Sequence, residues 1–274
     1  MASATESLYE VLRDSLRRDE PVALATVVAG AAAAPLGAKL LVRADGEVLG
    51  TLGDAELDTV IGREARGALV SGQSTLRHHV PCGETLSDEV SIFIEAFTPP
   101  PRMVILGAVD FSAALSAVAR VLGYRVVVCD ARAVFATKAR FPAADEVVVD
   151  WPDRYLKGLA STLGPRDAVC VLTHDAKFDV PAIVAALDSE VGYIGAMGSR
   201  RTKERREVKL REAGVDDAGL ARIRAPIGLD LGARTPEETA ISICAEIIAW
   251  QTGTETVGSL SSGTGPIHRG RPPQ

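Results

Sequence analysis

Hydrophobic positions change rhythm once along this chain, at Pro99-Pro100-Pro101. Before the prolines they fall in short β-branched or alternating runs. Residues 22–29 and 38–43 predict strands, Asp45-Gly46 a hairpin turn, 47–52 the returning strand and 89–97 a last strand. Residues 57–70 carry helical spacing instead. Ahead of them, 1–19 is polar with Leu8, Val11, Leu12 and Leu16 on one face, the pattern of an amphipathic helix rather than a signal peptide.

After the prolines, unbroken apolar runs at 103–106, 125–129, 146–149, 168–172 and 192–196 alternate with helix-like segments, among them 112–122 and 181–187. Continuous apolar strands alternating with helices imply a parallel sheet covered on both faces. A closing helix is marked by Thr235 as cap, Pro236 in the first turn and Glu238 completing a capping box, with Ile241, Cys244, Ile247 and Ile248 on its apolar face. Consecutive prolines continue neither a helix nor a ladder, so they mark a connector. From Thr252 onward Gly, Ser, Thr and Pro dominate and cannot bury enough surface to order themselves.

The first apolar run after the prolines continues as Leu106-Gly107-Ala108-Val109-Asp110-Phe111-Ser112, in the place of a first dinucleotide-binding strand and turn. Asp130 ends the next strand, where an acid receives a ribose hydroxyl. The fold class is therefore α/β. A small N-terminal α+β domain (1–98) precedes a Rossmann-like parallel-sheet domain (99–251), and a flexible tail follows (252–274). The nucleotide site itself is another matter. Val109 and Ser112 replace the second and third glycines of the motif, and Asp110 points an acid at the same space. These residues disfavour NAD(P) in the usual pose. His174 and Asp175 follow the fourth strand at the edge where ligands bind, and are the candidates for catalytic chemistry. The alternative is a histidine that fixes a loop by hydrogen bonds. No nucleophile elbow and no catalytic metal spacing is present in the sequence.

An apolar fraction of 47% and a charged fraction of 24% are ample for a core, and the net charge of −6 argues against a general nucleic-acid binder. No apolar run approaches membrane-spanning length, so a cytoplasmic protein without membrane contact is expected. The cysteines Cys82, Cys129, Cys170 and Cys244 are scattered and form no Cys-x-x-Cys pair. Three lie in strand or helix runs and read as buried thiols. Cys82 lies in a loop between Pro81 and Gly83 and is the candidate functional thiol.

One segment concentrates charge on this acidic chain. Tyr193-Ile194-Gly195-Ala196-Met197-Gly198-Ser199 runs from a strand into a turn, and a helix opens on Arg200, Arg201, Lys203, Arg205 and Arg206. Unpaired helix N-terminal amides, glycines and basic side chains together predict an anion site, with phosphate the usual occupant. A tight turn followed by a solvated basic helix is the plainer reading. A second light loop follows downstream, Ala225-Pro226-Ile227-Gly228-Leu229-Asp230-Leu231-Gly232-Ala233.

These two loops, with Thr235-Pro236-Glu237-Glu238, resemble the signature of the XdhC/CoxI family, accessory proteins of xanthine dehydrogenase and carbon monoxide dehydrogenase type molybdenum enzymes. The resemblance runs from about Val22 to about Trp250. It implies a molybdenum cofactor (molybdopterin) chaperone that serves a molybdoenzyme apoprotein, with a cysteine desulfurase as a further partner and a homo-oligomeric state. Such a protein is an accessory factor rather than an enzyme. The candidate cofactor-binding residues are Gly195, Gly198, Ser199, Arg200, Arg201, Gly228, Asp230, Gly107, Asp130 and Cys82. The chain departs from the family where relatives carry Gly-Gly-Cys: Asp54-Ala55-Glu56 stands there, so a carboxylate replaces a soft thiolate. Relatives also keep Gly-Ala-Gly at the dinucleotide turn, and this chain does not. Two rivals stay open, an NAD(P)-dependent oxidoreductase with a Rossmann domain and a degenerate paralogue acting only through protein partners.

Overall fold

The computed structural model describes residues 7–30, 34–80, 89–173, 175–254 and 256–262. The chain divides into two compact units, Met1–Pro99 and Pro100–Gln274.

In the first unit, α1 (Leu8–Arg17) precedes β1 (Val22–Ala29), β2 (Lys39–Arg43), β3 (Val48–Thr51), α2 (Ala55–Ser71), β4 (Thr75–His79) and β5 (Val90–Phe97). The five strands form an antiparallel sheet in the order β3-β2-β1-β5-β4. Alternation along β1 divides its side chains between the two faces. Ala23, Ala25 and Val27 pack with Leu57, Ile61 and Ala65 of α2. Val22 packs with Val11 of α1 and with Leu41. Helix α2 begins two residues before the apolar spacing predicts, because the Asp54 side chain accepts from the Leu57 amide as an N-cap. Strand β4 is absent from the sequence expectation. Its five residues, Thr-Leu-Arg-His-His, include no buried position, and it exists by pairing with β5.

In the second unit the order is β6 (Arg102–Leu106), α3 (Asp110–Val121), β7 (Arg125–Cys129), β8 (Glu146–Val148), α4 (Pro152–Leu159), β9 (Ala168–Val171), α5 (Ala176–Leu187), β10 (Tyr193–Ala196), α6 (Arg200–Glu212), α7 (Asp217–Ala221), β11 (Ile223–Arg224) and α8 (Pro236–Gln251). All six strands are parallel, in the spatial order β8-β7-β6-β9-β10-β11. This is the doubly wound order in which strands leave β6 in both directions. Met103 and Ile105 point to the face covered by α3 and α8, and Val104 and Leu106 to the face covered by α4, α5 and α6.

Helices α5 and α8 also depart from the sequence expectation. Helix α5 starts at Ala176, capped by Asp175, and accommodates Pro181 internally. Helix α8 has the expected capping box, but Ile241 and Ile248 are 54% and 45% exposed, whereas Ala240, Ile243, Cys244 and Ile247 are buried. Of the expected tail, 252–254 and 256–262 are described, with 260–262 forming one 3₁₀ turn.

Candidate functional site

In an open α/β sheet, ligands bind beyond the carboxyl ends of the strands where the order reverses. Here the reversal lies between β6 and β9. Two strand-glycine-helix turns reach this edge, and their backbone donors are used differently.

The Gly107 turn is filled from within. Gly107 donates its amide to the Cys129 carbonyl (2.8 Å), and Ala108 donates to Asp130 Oδ2 (2.8 Å). Asp130 is only 3% exposed and also accepts from the Arg132 amide, Nε and Nη2 at 2.8–2.9 Å. Burial alone would raise its carboxyl pKa. The Arg132 side-chain bonds and the two amides outweigh that and hold it below the ordinary carboxylate value. Asp130 is thus engaged by the protein's own groups in the place where a ribose hydroxyl would bind. Asp110, on the rim, pairs with Arg140 at 3.2 Å. Ser112, in the third glycine position, is buried and donates to the Gly107 carbonyl.

The Gly198 turn is open. Gly198 has φ +143°, and a Cβ there would lie 2.9 Å from Thr202 Cγ2, so the position calls for glycine. Ser199 caps α6 by accepting from the Thr202 amide (3.2 Å). The amides of Gly198, Ser199, Arg200 and Arg201 make no hydrogen bond among the described residues. The five basic side chains separate into three groups. Arg200, Arg201 and Arg205 are exposed and form no ion pair among the described residues. Lys203 pairs with Glu207 at 3.6 Å. Arg206 is buried at 5% exposure, donating to Asp179 (2.9 Å) and to the Met197 carbonyl (2.7 Å).

Asp179 in turn accepts from the Thr173 hydroxyl, and Thr173 packs against the position a Gly107 Cβ would occupy. A buried polar chain therefore joins the ends of β9 and β10 and backs the open turn from below. Arg206 Nη1 has no hydrogen-bond partner among the described residues. Beside the turn a groove of about 460 Å³ is lined by Ala176, Asp179, Thr202, Arg205, Arg206 and Lys209. The sequence shows Arg206 as one more cation of a basic helix. Its spacing of one turn from Thr202 on the inward face was the available signal.

The second loop lies directly against β10. The Ile227 amide donates to the Ala196 carbonyl (3.1 Å), and a Cβ at Gly195 would collide with the Ile227 side chain. The Gly228 amide donates to Glu246 Oε2 (2.9 Å), which also accepts from the Tyr193 hydroxyl (2.5 Å). The structure thus gives Gly195 and Gly228 packing roles, with the Gly228 amide already engaged. Asp230 is exposed.

Asp175 caps α5, accepting from the Lys177 amide (3.0 Å). His174 and Cys82 lie outside the described residues. Cys129, Cys170 and Cys244 are buried, and burial pushes the thiols of Cys129 and Cys244 up to about 12 and that of Cys170 well above its usual value. None of these three is poised as a thiolate at neutral pH. Glu56 is exposed in the first turn of α2. Among the described residues no group of three or more His, Cys, Asp or Glu side chains is placed to hold a metal, and no helix is long and apolar enough to cross a membrane.

Comparison with known proteins agrees with the architecture. The sequence profile of the XdhC Rossmann domain matches residues 103–247, and that of the XdhC and CoxI family matches 15–80. A Bacillus subtilis protein named as a probable xanthine dehydrogenase component is 33% identical over 58% of this chain and 45% of its own length. The molybdenum cofactor insertion chaperone PaoD of Escherichia coli is 30% identical over 57% of this chain and 42% of its own length. The matched segments thus span less than half the length of these curated relatives. A solved structure described as a xanthine dehydrogenase from Bacillus halodurans shares the fold at a TM-score of 0.51 and 22% identity, covering 92% of this chain and 98% of that one. With more than half of its residues matched by one profile and the preceding unit by the other, the chain belongs to the XdhC and CoxI family.

Proposed function

We propose that this protein is an accessory factor that holds the molybdenum cofactor by its phosphate at the Gly198 turn. It then delivers the cofactor to a xanthine dehydrogenase or carbon monoxide dehydrogenase type apoenzyme. The observation that carries this reading is the open turn, with four backbone amides and the exposed guanidinium groups of Arg200 and Arg201 on one helix N-terminus. Amides at a helix start, reinforced by arginine, suit a phosphate with its several acceptor oxygens. The names of two relatives, a molybdenum cofactor insertion chaperone and a probable xanthine dehydrogenase component, support the accessory role.

When bound, the cofactor would bring a molybdenum centre for the recipient enzyme. This chain's residues would anchor the phosphate, orient the molecule and keep it soluble. The described thiols offer the molybdenum end no soft ligand, because all three are buried and protonated. Sulfur handling would fall to Cys82 or to a cysteine desulfurase partner. Glu56, in the place of the family's cysteine, favours one second reading: a paralogue that works through protein contacts alone.

The deciding experiment is a direct titration of molybdopterin cofactor against wild type and the double variant Arg200→Ala/Arg201→Ala. Each lost charge-assisted contact is worth roughly 1.5–3 kcal/mol. Affinity should fall at least about tenfold with little change in melting temperature. Equal affinity in the two proteins removes the turn from the site, and no binding by wild type leaves the paralogue reading.

A further inference from the structure

Helix α6 sorts its cations by face. On one side of the helix, Lys203 pairs with Glu207 at 3.6 Å and Arg211 with Asp217 at 2.7 Å. Arg205 and Lys209 lie on the other side. Both are exposed, and neither forms an ion pair or a side-chain hydrogen bond among the described residues. They stand four residues apart, which makes them neighbours one turn along the same face. Like charges at that spacing repel each other and weaken a helix unless an anion lies between them.

This pair lines the 460 Å³ groove beside the Gly198 turn. Val208, 57% exposed, belongs to the same wall, and Ala176 of α5 adds no long side chain that would fill the space. The buried Arg206 also lines the groove, and its Nη1 has no hydrogen-bond partner among the described residues. Asp179 does not offset the two exposed cations, because its carboxylate is bonded to Arg206 and Thr173. Glu212, three residues beyond Lys209, lines the groove too and limits its cationic stretch to Arg205 and Lys209.

We propose that this groove docks an acidic, extended segment of a partner protein, with two of its carboxylates on Arg205 and Lys209. The spacing supports it. Four helical residues advance about 6 Å. Alternate side chains of an extended chain share one face and repeat at about 6.6 Å. Two acids separated by one residue therefore match the two cations. The exposed Val208 gives such a segment an apolar contact that a bare anion does not use. Nucleic acid fits less well. Among the described residues no aromatic side chain lines the groove to stack a base, and the chain carries a net charge of −6. Arg200 and Arg201 take no part, so the docking site stands whether or not the Gly198 turn binds a phosphate.

The probe is a fluorescein-labelled peptide, Gly-Glu-Val-Glu-Val-Gly, titrated against the full chain by fluorescence anisotropy in low salt. Saturable, submillimolar binding is expected, at least about tenfold tighter than for the same peptide with Gln in place of both Glu. Arg205→Glu/Lys209→Glu should lose the acidic peptide and gain the version with Lys in place of both Glu. Its melting temperature should match wild type, since both side chains are exposed. Arg205→Lys/Lys209→Arg keeps both charges and should bind within a few-fold of wild type. Arg200→Ala/Arg201→Ala should bind the acidic peptide as wild type does.

Absence of saturable binding by the acidic peptide overturns the proposal. So does acidic-peptide binding that survives in Arg205→Glu/Lys209→Glu. Competition by inorganic phosphate or a thymidine oligonucleotide at the peptide's own concentration would also overturn it, by assigning the groove to a phosphate-bearing ligand. Loss of peptide binding in the Arg200/Arg201 variant would do the same, by moving the acidic segment to the Gly198 turn.

Discussion

The two turns at the carboxyl edge of the sheet share a plan and differ in outcome. Each runs from a buried strand through a glycine with positive φ into a helix. At Gly107 the acid, the arginine and the turn amide satisfy one another, so the turn is closed by its own side chains. At Gly198 the side-chain cap is Ser199, and the flanking arginines face solvent. A glycine pattern thus says that backbone can approach a ligand. Whether a site results depends on where the neighbouring donors are already engaged.

The sharpest way to break the comparison is to cut the support beneath the open turn. Arg206→Leu removes the guanidinium that donates to the buried Asp179 carboxylate and to the Met197 carbonyl. Loss of one partner of a buried pair costs about 3–5 kcal/mol. The urea midpoint should drop accordingly, far more than for Arg200→Ala or Arg201→Ala. A midpoint equal to wild type would mean that the chain through Asp179 contributes nothing to the fold.

A smaller effect is expected at the closed turn. Asp130→Asn weakens the Ala108 and Arg132 bonds and should cost about 1–3 kcal/mol at neutral pH. The folded-state pKa of Asp130 lies below its unfolded value. Its contribution is therefore present above the unfolded carboxylate range, roughly pH 4, and is lost as pH falls through the folded value. Wild type should lose that increment on acidification and Asp130→Asn should not. Parallel stability curves from pH 7 to 3 would show that the engagement of Asp130 does not matter.

The smallest expected signal is none at all. Isothermal titration with NAD, NADH, NADP and NADPH should show no micromolar site, because the acid that would hold the ribose is engaged and Asp110 repels the pyrophosphate. A micromolar isotherm with any of them would reopen the Gly107 turn as a dinucleotide site.

Much of the sheet was legible because its strands are buried on both faces and read as unbroken apolar runs, as in Arg125–Cys129 and Ala168–Val171. The closing helix was legible from Thr235, Pro236 and Glu238, since capping chemistry is local. Strand β4 was not, because an exposed edge strand is specified by its neighbour rather than by its own pattern. The site divides along the same line. Ser199 and the exposed Arg200 and Arg201 follow from nearby residues. The burial of Arg206 depends on Asp179, 27 positions earlier, and the ring contact of Trp151 with Phe178 joins the residue that precedes α4 to α5. Those pairings are made by tertiary structure, and a single sequence carries no periodic trace of them.

The contact between Gly195 and Ile227, and the shared grip of Glu246 on Gly228 and Tyr193, has a practical consequence for protein engineering. Strand β10, the 225–232 loop and the middle of α8 form one transplantable unit, although they are scattered along the chain. A chimera that exchanges the loop alone would place a foreign side chain against Gly195 and put at risk the backbone amide that meets Glu246 beside the Tyr193 hydroxyl. Graft boundaries should therefore enclose Tyr193 to Arg201, the loop and Glu246 together.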